Sequence, residues 1–119
     1  MPIHHTEENG GKILHIHAIG KLTKDDYDEF LPTVSALIQQ HGKMRVILDL
    51  TAFQGWEPAA FWEELKFVAK NSAHLGRLAA IGTKKWHYWM TRFFSLFTSG
   101  TVRYFDQKSA DEARRWLVE

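Results

Sequence analysis

The chain has 119 residues, 45% of them hydrophobic and 24% charged, which is the balance of one folded domain with a core and excludes a disordered tail. Fifteen basic and fourteen acidic side chains leave a formal charge of +1, so no nucleic-acid partner is expected. The absence of cysteine removes disulfides, thiolate nucleophiles and cysteine-bound metals. No stretch approaches the roughly 18 apolar residues of a membrane span. The start, MPIHHTEENGG, lacks the basic and apolar parts of a signal peptide, so a cytoplasmic location is expected. Nothing repeats and no low-complexity linker divides the chain, which therefore reads as a single domain over residues 1–119.

Residues 3–8 and 12–19 read as two strands joined at Asn9-Gly10, a dipeptide that accepts the positive φ angles of a tight hairpin turn. That turn sets His4 opposite His15. In the second strand Leu14, Ile16 and Ala18 alternate with His15 and His17, giving one apolar and one polar face. Thr23, followed by Asp25 and Asp26, caps a helix reaching about His41. Tyr27, Phe30, Leu31, Val34, Leu37 and Ile38 recur along it at helical spacing, Pro32 marks a kink or a later start, and Gly42 ends it. Residues 45–50 form a short apolar strand, and 51–57 (TAFQGWE) read as a loop leading to a second helix with Pro58 in its first position. Phe61, Leu65, Val68 and Ala69 give that helix its core stripe. A strand over 78–82, an aromatic helix over 84–100, a strand over 101–105 and a short helix from Ser109 or Asp111 complete the chain. In the last helix Ala113, Trp116 and Leu117 face inward.

The order ββαβαβαβα predicts an α/β domain: a five-stranded, mostly parallel sheet that begins with an antiparallel hairpin. Right-handed crossovers stepping always the same way put the helices on one face. His15, His17, Arg45, Asp49, Arg77 and Arg103 fall on the opposite strand positions, so the other face is expected to meet solvent or a partner.

The stretch KKWHYWMTRFFSLFTSG concentrates aromatic rings. On a helical projection Trp86, Trp89, Met90, Phe93, Phe94, Leu96 and Phe97 fall within about 160°, wider than the ~100° stripe that packing on a core requires. His87, Tyr88, Thr91, Arg92, Ser95 and Thr98 occupy the other side. The excess apolar arc asks for more of the same protein, a second subunit, an apolar ligand or a membrane surface. Glycines at Gly82 and Gly100 suggest hinges at the helix ends.

No catalytic constellation emerges: the serines sit in no nucleophile elbow, no glycine-rich loop carries a following Lys-Ser or Lys-Thr, and the histidines form no HExxH pattern. Asp49 at a strand end reads as a carboxylate bonding its own loop. His4, His15 and His17 share one face of the hairpin, yet no further ligand completes a metal set, so neither metal nor cofactor is expected.

The segments GKLTKDDYDEFLPTV, VILDLTAFQGWEP, KKWHYWMTRFFSLFTSGTVRYFD and ADEARRWL resemble the small bacterial SpoIIAA-like family, related in fold to STAS domains and grouped with CRAL-TRIO-type lipid-exchange domains. The resemblance implies a role in binding or regulation without turnover. The phosphoswitch members of the wider STAS group carry an Asp-Ser pair where this chain has Glu57-Pro58, so the resemblance does not extend to that switch.

Together these readings predict a non-enzymatic module that binds a small apolar, lipid-like molecule, or lies against the inner membrane, through Trp56, Phe61, Trp86, Trp89, Met90, Phe93, Phe94 and Phe97. Lys84, Lys85 and Arg92 would meet anionic headgroups. A homodimer is expected. The alternative is a protein-protein module using the same surface without lipid.

Overall fold

The computed structural model describes residues 3–8 and 12–119. Its elements are β1 (Ile3–Glu8), β2 (Ile13–Leu22), α1 (Lys24–His41), β3 (Met44–Trp56), α2 (Pro58–Lys70), β4 (Leu75–Gly82), α3 (Lys85–Ser95), β5 (Thr101–Asp106) and α4 (Ala110–Val118). Local chemistry sets several of the boundaries. At the start of α1 the Asp26 N–H donates to Thr23 Oγ1 at 3.2 Å and the Thr23 N–H donates to Asp26 Oδ2 at 2.8 Å, a reciprocal capping box. Gly42 ends the helix at φ +73°, a conformation that suits glycine, with its N–H on the Ile38 carbonyl. The helix runs through Pro32 without a break. Pro58 opens α2 where its missing N–H leaves nothing unsatisfied.

The sheet order is β1-β2-β3-β4-β5, with β1 antiparallel to β2 and every other pair parallel. This is the expected five-stranded mixed sheet. Each parallel connection steps one place in the same direction, so α1, α2 and α3 lie on one face. Leu14, Ala18, Val46, Leu50 and Ala80 point to that face and join Phe30, Val34 and Leu37 of α1 in the main core.

The last helix departs from the expectation that all helices share a face. α4 follows the edge strand and returns to no further strand, so the crossover rule does not bind it, and it packs on the opposite side over Ile13, Ile47, Ala79, Ile81 and Phe105. The polar strand positions find their partners there. Arg45 donates to the Leu117 carbonyl at 2.5 Å and Arg77 to the Trp116 carbonyl at 2.6 Å, so two strand arginines bond carbonyls in the last turn of α4, the Trp116 carbonyl also accepting from the Glu119 N–H. The Arg77 guanidinium also lies 5.2 Å from the centre of the Trp116 ring, and that of Arg103 4.8 Å from Phe105.

Two further corrections concern the strands. The expected loop 51–57 is largely strand: β3 continues to Trp56 alongside residues 19–22 of β2, with register shifts where Gly20 (φ +71°) and Gly55 (φ +114°) accommodate bulges. Asp49, expected at a strand end, therefore lies inside β3, where it accepts from the Thr51 N–H and Oγ1 at 2.9 and 2.7 Å. In the hairpin Glu8 pairs with Ile13, which places His4 opposite His17 and Thr6 opposite His15. The expected Asn9-Gly10 turn lies outside the described residues. Among the described residues no group of three His, Asp or Glu side chains is arranged to hold a metal ion.

Candidate functional site

The three helices on the main face do not close tightly on the sheet. Ala60 is the one fully buried residue of α2; Phe67 and Val68 reach inward while Ala69, expected in its core stripe, is exposed. Beneath α2 lies a cavity of about 160 Å³, walled by Leu14, Val46 and Leu48 of the sheet, Phe30 and Val34 of α1, Phe67 and Val68 of α2, and Met90 of α3. On the same kind of measure, a cavity of about 150 Å³ lined by aliphatic and aromatic side chains holds a benzene molecule.

A few polar groups interrupt this lining: Tyr27, Trp56, Glu64, Asn71, His74 and Thr98. Most are already engaged. The Trp56 Nε1–H donates to the Tyr27 hydroxyl at 2.7 Å, Asn71 Nδ2 donates to the Phe67 carbonyl at 3.0 Å, and Thr98 Oγ1 donates to the Ser72 carbonyl at 3.3 Å. Glu64 differs. It is half-buried, lines the cavity and forms no ion pair among the described residues. Burial pushes its pKa up to about 7, an effect the Tyr27 hydroxyl beside it only partly offsets. Burial, and then the Glu64 charge, hold the Tyr27 phenol well above its ordinary range.

Of the apolar residues singled out from the sequence, Trp56 and Met90 line the cavity. Phe61, Phe93, Phe94 and Phe97 form a chain of rings outside it. Trp56 lies 5.6 Å from Phe61 and 5.5 Å from Phe94, Phe61 lies 6.1 Å from Phe93, and Phe93 lies 5.3 Å from Phe97. Trp86 joins through Phe53, 5.7 Å away, which in turn meets Trp56 edge-on at 4.7 Å. Trp89 stands apart, touching Tyr88. Trp56 thus belongs to both the cavity wall and the outer ring chain. Lys84, Lys85 and Arg92 are exposed, Arg92 resting against the Tyr88 ring.

The orientation of α3 reverses the simple amphipathic reading. His87 and Thr91, placed by the projection on the outer side, are buried, whereas Trp89 is 65% exposed, Phe93 41% and Leu96 78%. The imidazole explains the reversal. Its Nδ1 accepts from the Thr83 and Lys84 N–H groups, both at 3.2 Å, and its Nε2 lies 3.1 Å from the Phe53 carbonyl. A tautomer protonated on Nε2 satisfies every contact, caps α3 and ties it to β3. Thr91 Oγ1 donates back to the His87 carbonyl.

The helix is also shorter than the expected 84–100. Ser95 Oγ donates to the Arg92 carbonyl, and the Thr98 and Ser99 hydroxyls donate to the Ser72 carbonyl, which fastens the segment after the helix to the turn that precedes β4. The glycines at its ends have a packing explanation. A Cβ on Gly82 would come within 2.7 Å of the Tyr104 hydroxyl and 2.8 Å of His87 Cβ, and one on Gly100 within 2.4 Å of the Leu75 carbonyl oxygen. Neither adopts a positive φ, so close approach rather than hinge freedom accounts for both.

The sequence reading passes over Glu64 and takes Tyr27 only as core. The spacing of Glu64 and Val68 on α2, four residues apart, was the available signal: an acid on the helix's inward stripe.

A family model described as SpoIIAA-like matches residues 13–118. Among solved structures, the chain is similar to an uncharacterized protein of the DUF3478 family with a SpoIIAA-like fold from Shewanella loihica. The two are 27% identical, the match covers 97% of this chain and 91% of that one, and the TM-score is 0.82. A comparison with curated proteins finds no match.

Proposed function

The chain belongs to the SpoIIAA-like family, and on that fold we propose a non-enzymatic binding module that takes a small apolar molecule into the cavity beneath α2 and lies against a membrane surface through the exposed rings of α3. The observation that carries this reading is the double position of Trp56, in the wall of an apolar cavity and in contact with the ring chain leading to Phe93 and Phe97. An apolar space with a few convergent polar groups is the usual form of a small-molecule site. The outer rings suit the water-lipid boundary, with Lys84, Lys85 and Arg92 available to anionic headgroups. Because the rings stand exposed already, this contact requires no movement of α3. No helix among the described residues is long and apolar enough to cross a membrane, and the association we propose is peripheral.

Two measurements test the two halves. Mass spectrometry of organic extracts from freshly purified protein should find a co-purifying apolar molecule in stoichiometric amount. In flotation with anionic vesicles the wild type should rise with lipid and a Trp89→Glu/Phe93→Glu variant should not; equal partitioning rejects the membrane half.

A second reading is favoured by the same exposure. Trp62, Trp86, Trp89, Phe93, Leu96 and Phe97 would serve equally as the apolar centre of a homodimer or partner-protein interface. A stable dimer that the same double variant dissociates, with no vesicle binding, selects it.

A further inference from the structure

Resting on the cavity reading, we propose that the ligand is a short amphiphile whose polar end donates hydrogen bonds, an alcohol or an amine, and that this end seats against Glu64. What carries this is complementary chemistry inside a largely apolar space. The walls that come from the sheet and from α1 are hydrocarbon, among them Leu14, Val46, Leu48, Phe30 and Val34, apart from Tyr27, which accepts from Trp56 and has its own O–H for Glu64. Asn71 and Thr98 are likewise committed to backbone carbonyls. Of the polar side chains left, the Glu64 carboxyl and the exposed His74 imidazole, the carboxyl is the stronger acceptor, and among the described residues no lysine or arginine pairs with it. The Tyr27 hydroxyl supplies one donor, which does not fill the two oxygens of a carboxyl, so a ligand hydroxyl or ammonium gains what the protein leaves open. A fatty carboxylate or a phosphate would instead set acceptor against acceptor and, when both ionise, charge against like charge. Selectivity of this kind works by penalising the wrong head as much as by attracting the right one.

Size narrows the class further. A space of about 160 Å³ accommodates a chain of roughly six to eight carbons without displacing the walls. The ligand is then a small amphiphile and not a full-length acyl lipid.

Three probes of one chain length separate the heads: octanol, octylamine and octanoate, titrated into the full chain and followed by isothermal calorimetry and by the chemical shift of the Trp56 indole N–H. The expected result is that octanol and octylamine bind and octanoate binds at least about tenfold more weakly than octanol. In Glu64→Gln, where the amide also donates, the difference between octanol and octanoate should shrink to about threefold or less. Octanoate matching or exceeding octanol in the wild type overturns the inference, as does unchanged discrimination in Glu64→Gln, and either result leaves the cavity reading intact. Failure of all three probes to bind overturns both. The wild-type comparison stands even if the variant does not fold.

Discussion

Glu64 makes a prediction about stability that needs no ligand. A carboxyl whose pKa is about 7 in the folded chain and 4.5 when free binds its proton more tightly folded than unfolded. Its contribution is therefore neutral below about pH 4.5; the folded state loses stability as pH rises from 4.5 towards 7, and the loss is complete above that. The difference between the two pKa values, at about 1.36 kcal/mol per unit, amounts to about 3 kcal/mol. That is a large share of the margin by which a domain of this size is stable. Glu64→Gln keeps the shape and removes the ionisation. Urea unfolding of both proteins at several pH values isolates the effect, because every other titrating group, including Tyr27 and His74 in the same cavity, is common to the two. The variant should match the wild type at pH 4.5 and exceed it by about 3 kcal/mol at pH 8. Parallel pH profiles for the two proteins would refute the account of an acid whose pKa is raised by burial.

Gly82→Ala should cost about 2 kcal/mol, since the added methyl meets Tyr104 and His87, and combination with Tyr104→Phe should recover part of it by removing the nearer atom. Thermal denaturation reads both. His87→Ala should cost about 2–4 kcal/mol in chemical denaturation, combining a vacated core position with two backbone N–H groups left without an acceptor. Thr23→Ala and Asp26→Ala should each lower stability by about 1 kcal/mol, with the double variant losing less than the sum because each side chain caps the other's backbone.

What the sequence makes legible here is whatever local chemistry decides. Thr23 and Asp26 announce the start of α1, Pro58 that of α2, and the alternation of Leu14, Ile16 and Ala18 names the core face of β2. The misreadings arise where a distant segment decides instead. Gln54 and Gly55 look like loop residues, yet the neighbouring edge of β2 draws them into β3 and uses Gly55 as a bulge. The end of α4 faces two arginines from strands far away in sequence, which is why a helix covers a sheet face whose charges suggested solvent. His87 is the sharpest case. Hydrophobic periodicity assumes that the apolar arc turns inward, and it cannot register that one imidazole finds three backbone partners on the inner side. At the cavity, the aromatic residues stand out in the sequence by number, whereas Glu64 acquires its importance only from what fails to surround it.

The seating of α3 on His87 has a consequence for how this surface can change. A helix that adheres through its rings would tie their identity to the stability of the domain. Here the backbone partners of one histidine do part of the holding, and Trp89 and Leu96 stand outside that attachment. Those positions form a face whose chemistry can be exchanged, from lipid-seeking to protein-seeking or charged, while the scaffold beneath it stays as it is.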